Sequence, residues 1–251
     1  MKQVSFYLTG KTRKEFTMKK CLLVLAFACS FGQMAQAGLI SYVTPTGSTT
    51  SGGSVSGEAD FTLGSGTLTL TLTNFTADPT ADSQTINGIT FNISGASSET
   101  LTSKLGKTAT ITKGSAASNI SSNPVTLTHW GATETGTKID LNTLTGEQPN
   151  ELIIGPGGAG GIYNSANNSI SNHGPSVLDT ATFTFNITGV TASSTLSNVV
   201  LDFGTASGSN TVALQQSTTA AVPEPSSLAL LGVGGIVMAI RAYRRGRKLA
   251  A

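Results

Sequence analysis

Two stretches of strictly alternating polar and apolar residues set the fold class of this chain. Leu68, Leu70 and Leu72 alternate with threonines, and residues 181–188 repeat the arrangement with alanine, phenylalanine and isoleucine. A period of two is typical of a β-strand with one buried face. Threonine suits such strands because its branched Cβ fits a pleated surface. No window of ten or more residues between 38 and 222 has the 3.6-residue apolar repeat of a helix, so an all-β body is predicted.

Further short strand candidates follow, separated by turn-rich stretches such as 78–82 and 172–175. Many short strands with turns between them favour a β-sandwich, of jelly-roll or immunoglobulin-like topology. The pattern continues without an obvious linker, so we expect one domain over residues 38–214 and a flexible tether at 215–222. The further candidates are Ile86–Ile93, Ala109–Thr112, Val125–Thr128, Lys138–Leu141, Leu152–Ile154, Leu196–Phe203 and Thr211–Leu214.

Charge is distributed unevenly and excludes several classes of function. Residues 38–222 contain four lysines, no arginine and eleven aspartates or glutamates, a net charge of −7, and 60 of these 185 residues are Ser or Thr. A nucleic-acid partner is excluded, because a phosphate-binding surface needs clustered Lys and Arg. Both cysteines, Cys21 and Cys29, precede this region, which excludes disulfides and thiolate metal sites from it.

The N-terminal residues have the parts of a secretory signal peptide. Met18 is followed by two lysines, a nine-residue apolar run over 21–29, and small residues at Ala35 and Ala37. This order predicts cleavage by signal peptidase after residue 37. The apolar run is too short for a membrane span, which takes roughly 20 residues. Residues 1–17 add nothing to the signal, so the sequence leaves open whether Met1 or Met18 is the start.

The C-terminal residues 223–251 form a second signal with three parts. It begins with Pro223, Glu224 and Pro225 and continues as an uncharged apolar segment at 226–240. As a helix, that segment would be roughly 22 Å long, short of a hydrocarbon core of about 30 Å. A short transmembrane helix is therefore predicted, with the basic tail 241–251 in the cytoplasm and the body outside. The basic residues are Arg241, Arg244, Arg245, Arg247 and Lys248.

These three elements, in this order, resemble the PEP-CTERM sorting segment of exported bacterial proteins. The resemblance covers about the last 29 residues. It implies that an exosortase recognises Pro223, Glu224 and Pro225, that the tail is then removed, and that the body reaches the cell surface or the exopolysaccharide matrix. Glu224 would then be a recognition residue for that enzyme.

The two histidines and the single tryptophan are candidate binding residues. Trp130, beside His129, is a candidate for stacking on a sugar ring, although a tryptophan in a β protein is more often part of the core. His173 lies in a turn-like stretch, and the spacing of the two histidines fits no zinc motif. No G-x-S-x-G motif for a serine nucleophile is present.

The carboxylates supply two weak pairs, Asp78 with Asp82 and Glu147 with Glu151. Glycoside hydrolysis needs two carboxylates roughly 5–10 Å apart across a cleft, usually one with aromatic walls, and this body has few aromatics. Calcium is the one cofactor considered, because Asp78, Asp82 and the stretch 164–168 offer oxygen ligands. These residues do not form an EF-hand loop.

A glycine-rich stretch at 155–160 matches G-x-G-x-x-G. In a dinucleotide-binding fold these glycines would open a helix. Here no amphipathic helix follows and Pro156 lies inside the motif, so a loop between strands is predicted.

Three functions remain open on the sequence. The first is a non-enzymatic surface or matrix protein with a structural or adhesive body, sorted by an exosortase. The second is a carbohydrate-binding module of the exopolysaccharide matrix, which depends on Trp130. The third is a secreted hydrolase, which depends on the carboxylate pairs.

Overall fold

The computed structural model describes residues 38–144 and 149–217, and their main regular structure is the β-strand. The described residues up to Gln216 belong to one compact unit. Within them, helical structure amounts to two short 3-10 turns, Asp82–Gln84 and Ala159–Gly161, and one five-residue helix, α1 (Asn168–Asn172). The strands are β1 (Leu39–Val43), β2 (Thr49–Thr50), β3 (Gly53–Ser54), β4 (Gly57–Leu63), β5 (Thr67–Asn74), β6 (Ile86–Ile93), β7 (Ser98–Ala109), β8 (Val125–Thr126), β9 (Gly131–Thr135), β10 (Lys138–Asn142), β11 (Ile153–Ile154), β12 (Ser176–Thr188), β13 (Leu196–Phe203), β14 (Thr211–Ala213) and β15 (Gln215–Gln216).

Thirteen of these strands form one large mixed sheet with two arms. The first arm contains β15, β1, β4, β5, β12, β7 and β8, and the second contains β14, β13, β6, β10 and β9. The short strand β11 joins the arms, pairing antiparallel with β6 and parallel with β12. The remaining two strands, β2 and β3, form a separate hairpin. The predicted all-β class is therefore confirmed, whereas the jelly-roll or immunoglobulin-like sandwich stays a prediction.

The pairing of β5 with β12 shows how the alternating sequence builds the sheet. Leu70 lies opposite Phe183 and both side chains are fully buried, while their neighbours Thr71 and Thr182 point to the other face. The hydroxyls of Thr71 and Thr182 lie 3.3 Å apart, within hydrogen-bonding distance. Because side chains alternate between faces, a register slip of one residue would expose every buried leucine and phenylalanine.

Both arms contribute to one hydrophobic core. Phe61 from the first arm packs edge-to-face against Phe91 from the second, with ring centroids 5.1 Å apart. Tyr42 also packs edge-to-face against Phe61, with ring centroids 5.8 Å apart. Such aromatic pairs add about 0.5–1.5 kcal/mol beyond the burial of their area. A smaller cluster around Ile154, Tyr163 and Ile170 lies under the loops.

Several predicted strands match the observed ones, and others do not. β6 and β13 have the predicted bounds, and the alternating stretches lie within β5 and β12. The candidate at 109–112 is wrong beyond Ala109, because that residue ends the long strand β7. Strands β1, β4, β7 and β9 were not predicted; β7, for instance, carries exposed or half-buried polar residues along most of its length.

Two details differ from the predicted organisation of the body. α1 is a helix of little more than one turn, too short to show an apolar repeat; the side chain of Asn167 caps it by accepting a hydrogen bond from the backbone N–H of Ser169. Gln215 and Gln216, predicted as the start of the tether, instead pair with Val43 and Tyr42 as β15. The predicted tether beyond Ser217 lies outside the described residues.

The two terminal signals lie outside the described residues. This applies to the predicted signal peptide 1–37 with Ala35 and Ala37, and to the sorting segment 223–251 with its short transmembrane helix and basic tail. Within 38–144 and 149–217, no helix combines the length and the apolar character needed to cross a membrane.

The core predicts the effect of truncating Phe183, which is fully buried and packs against Trp130. We expect Phe183→Ala to lower the free energy of unfolding by about 3–5 kcal/mol, because it leaves a cavity between packed rings. The outward-facing variant Thr182→Ala should cost about 1 kcal/mol or less. Denaturant unfolding of both variants measures the difference, and equal costs would contradict the assignment of the two faces.

Candidate functional site

The most highly connected polar side chain in the described body is the carboxylate of Glu151. Glu151 is 5% exposed and has a positive φ of 59°. Its carboxylate accepts the backbone N–H of Thr128 at 2.8 and 3.0 Å and that of His129 at 2.9 Å. The hydroxyl of Thr128 also donates to it, at 3.0 Å. Charge-assisted bonds of this kind are about twice as strong as neutral ones, so Glu151 fixes the 128–130 segment against β11.

Trp130 follows directly in this segment and belongs to the core. Its side chain is 1% exposed and packs against Phe183 with ring centroids 4.8 Å apart. The indole N–H donates to the backbone carbonyl of Glu151 at 2.9 Å. Trp130 is therefore a core residue, the alternative already given for it, and its buried ring is not open to a sugar in this structure.

His129 lies at the edge of this cluster rather than at its centre. Its Nδ1 is 3.6 Å from Glu151 Oε1, and its side chain is one-third exposed. A His–carboxylate pair is a familiar element of acid–base catalysis. Both oxygens of Glu151 accept backbone N–H groups, so this carboxylate holds backbone in place.

The second carboxylate of interest, Asp78, fastens a loop. Its Oδ1 accepts the backbone N–H of Ser165 at 3.0 Å, and its Oδ2 accepts the Ser165 hydroxyl at 2.8 Å. These hydrogen bonds, the backbone one first, hold the pKa of Asp78 below its ordinary value. The Asp78 backbone N–H donates to the carbonyl of Pro156. Two distant stretches of chain, around residues 78 and 156–165, are thereby joined.

The oxygens considered for calcium serve local structure in the same way. Asp82 Oδ1 accepts the backbone N–H of Ser83, and Asn167 Oδ1 accepts both the N–H and the hydroxyl of Ser169. The described part of the chain holds no group of three or more His, Cys, Asp or Glu side chains placed to bind a metal. Calcium at Asp78 and Asp82 therefore gains no support.

The remaining sequence candidates fall at turns or outside the described residues. His173 caps the C-terminal end of α1 and lies in the loop that leads to β12. Glu147 lies in the stretch 145–148, outside the described residues, so the proposed pair with Glu151 is not tested.

The glycine-rich stretch 155–160 is a loop, as predicted. It continues into the 3-10 turn Ala159–Gly161 and not into a helix. Gly155 packs so closely on the backbone that a Cβ there would lie 2.2 Å from the carbonyl oxygen of Thr76. The hydroxyl of Tyr163 donates to the Gly155 carbonyl at 3.0 Å, and burial raises the pKa of this tyrosine to about 12. These glycines therefore serve close backbone packing.

Sequence reasoning missed a polar group on β6, β10 and β13. Asn87, Asp140 and Asp202 lie on predicted strands but match no motif. The available signal was local, because Asp202 interrupts the apolar run 199–203 at a position where a solvated carboxylate is unexpected.

Replacing Glu151 tests its structural role. We expect Glu151→Gln to lower the free energy of unfolding by about 1–3 kcal/mol, since the amide retains one acceptor oxygen for the three donors from Thr128 and His129. Glu134→Gln is a matched control, because Glu134 lies on β9 beside Glu99, whose pKa is raised by burial and, to a smaller extent, by the charge of Glu134. The control should leave stability unchanged or slightly higher. Thermal unfolding checks both, and a Glu151→Gln protein as stable as the parent would contradict this role.

Comparison with known proteins identifies the C-terminal segment. The PEP-CTERM protein-sorting motif matches residues 221–245, which include Pro223, Glu224 and Pro225. No curated protein and no solved structure matches the chain. The resemblance inferred from the sequence is therefore confirmed for this segment: the chain carries a PEP-CTERM protein-sorting motif at its C-terminal end.

Proposed function

We propose that this protein is a non-enzymatic component of the cell surface or extracellular matrix, delivered by an exosortase and acting through a structural or adhesive β body. The observation that carries the proposal is the sorting domain at residues 221–245. On this proposal the signal peptide directs export, the 226–240 segment anchors the chain transiently, and the basic tail stays in the cytoplasm.

The contacts of the candidate catalytic residues support a structural body. The carboxylates of Asp78 and Glu151 hold backbone segments together, and Trp130 fills the core. A body whose polar side chains mostly fasten loops to strands is suited to persist outside the cell, where it has no disulfide to stabilise it. The two arms with their common core are also compatible with the proposed sandwich.

A surface for adhesion is offered by the outward side of β4, β5 and β12. Here Thr62, Thr69 and Thr184 lie side by side on neighbouring strands, and the next row places Asp60 beside Thr71 and Thr182. We call these threonines, together with Thr73 and Thr180, the threonine face. All seven are half-buried, as expected on the open side of central strands.

The threonine face fits a neutral, polyhydroxylated polymer such as an exopolysaccharide. Each hydroxyl both donates and accepts hydrogen bonds, as sugar hydroxyls do. Threonines on neighbouring strands lie about 4.8 Å apart, and those on one strand are separated by twice the rise of about 3.3 Å per residue. A polymer lying on this face can therefore make many weak hydrogen bonds at the same time. The carbohydrate-binding alternative therefore depends on the hydroxyls of the threonine face and no longer on Trp130.

The sorting part of the proposal is tested in the producing cells. With Glu224→Ala, or in a strain lacking the exosortase, we expect the protein to stay in the cytoplasmic membrane with its tail uncleaved. Glu134→Ala, the same change within the body, should be sorted normally. Fractionation and the mass of the released chain measure the outcome. Normal release of the Glu224→Ala protein, or release in the strain without exosortase, would refute this part.

The adhesive part is tested by removing hydroxyls at constant shape. The double variant Thr71→Val with Thr182→Val should lose most of its co-sedimentation with exopolysaccharide extracted from the same cells. Valine keeps the β propensity and removes the hydrogen bonds. Thr133→Val with Thr135→Val, on the edge strand β9, is the matched control and should still co-sediment. Equal retention by both double variants would show that the threonine face is not the contact.

A further inference from the structure

Two carboxylates complete the array of side chains on the threonine face. On β4, Glu58 and Asp60 are half-buried and alternate with buried residues. They therefore share the outward side of the sheet with Thr62. Strand pairing puts Glu58 opposite Thr73 and Asp60 opposite Thr71. Directly opposite side chains have Cβ atoms about 4.5–5.5 Å apart, so each carboxylate lies next to a threonine of the face.

The two acids interact with each other and with the neighbouring strand β1. The hydroxyl of Ser41, which lies opposite Asp60, donates to Asp60 Oδ1 and keeps this carboxylate on the face. Burial raises the pKa of Glu58, and the charge of Asp60 raises it further. Since the acids sense each other's charge, an anion placed on the same rows would be repelled by both.

The strands around these acids contain no positively charged side chain. β1, β4, β5 and β12 have no lysine or arginine, and in the described part of the chain no ion pair joins Glu58 or Asp60 to a lysine. Lys107 lies on β7, three strand spacings of about 4.8 Å from β4. This separation exceeds the Debye length of about 8 Å at physiological salt, so Lys107 leaves the charge of the two acids uncompensated.

An ionised carboxylate distinguishes sugars by their charge. It only accepts hydrogen bonds, so a sugar hydroxyl can donate to it, and such charge-assisted bonds are about twice as strong as neutral ones. An ionised carboxylate or sulfate group on a polymer has no proton to donate and adds a like charge. Juxtaposed like charges reject a partner even where its other contacts are retained.

We propose that Glu58 and Asp60 determine the specificity of the threonine face, which accepts uncharged polysaccharides and rejects those rich in uronate or sulfate groups. This inference rests on the proposed adhesive function and adds the chemical class of the polymer. The threonines supply contacts that any hydroxyl-rich chain can use, so they do not by themselves separate one polysaccharide from another. The two carboxylates beside them supply that distinction.

The test compares one polymer with and without charge. Anion exchange isolates the uncharged part of the exopolysaccharide from the same cells, and half of it is carboxymethylated. The protein is the chain released by these cells, which on the proposed function has lost its basic tail. At about 0.01 M salt, where the Debye length is about 30 Å, it should bind the uncharged form about tenfold more tightly in co-sedimentation than the carboxymethylated form.

Removing the two charges at nearly constant shape should remove this preference. The double variant Glu58→Gln with Asp60→Asn should bind the two forms within about threefold of each other. Glu99→Gln with Glu134→Gln is the matched control, because it changes the net charge equally, while Glu99 lies opposite the buried Ile187 and Glu134 lies on β9. The control should keep the preference of the parent. An equal loss in both double variants would assign the effect to net charge and overturn the proposal.

Salt gives a readout on the parent protein that needs no variant. At 1 M salt the Debye length falls to about 3 Å, so the preference for the uncharged form should disappear. A preference that persists would come from the size of the carboxymethyl groups, and this result would also overturn the proposal.

The outcomes separate this inference from the function on which it rests. If the parent binds both forms equally at low salt, the specificity is overturned and the adhesive function stands. If the parent binds neither form, the adhesive function fails and this inference fails with it.

Discussion

The body depends on the registered pairing of β5 with β12, in which every second residue enters the core. Leu70 and Phe183 are buried opposite each other, and the threonines between them form the outer face. The same two strands contact β4 and β7, so the register set here passes to the whole first arm. A shift of one residue would exchange core and surface, which is why this part of the sequence tolerates little change.

Sequence reasoning succeeded where periodicity is local and failed where contacts are distant. The bounds of β6 and β13 followed from their apolar runs. Most of β7 could not be predicted from the sequence, because most of its side chains are polar. Its position is fixed by pairing with β12, which lies some 80 residues later in the chain. α1 could not be predicted either, since one turn of helix has no period to detect.

The candidate sites teach a similar lesson about polar residues. Trp130 and Glu151 were singled out for chemistry, yet they form one structural unit in which the indole donates to the Glu151 backbone. Asn87 and Asp202 were passed over, because the bulge at which they lie arises from strand pairing and leaves no local pattern in the sequence. The sorting segment was the exception: its signal lies in the order of residues, so the sequence alone revealed it.

The pairing of β1 with β15 has a mechanical consequence. The two residues of β15, Gln215 and Gln216, pair with Val43 and Tyr42, and they form the last strand of the described residues. If the chain is anchored at its C-terminal end, as proposed above, a pull on that end loads this two-residue strand before the other described strands. Separating β15 from β1 would extend the C-terminal connection and leave the packed aromatic rings of the core in place. Under force, local unfolding at this edge would therefore precede unfolding of the core.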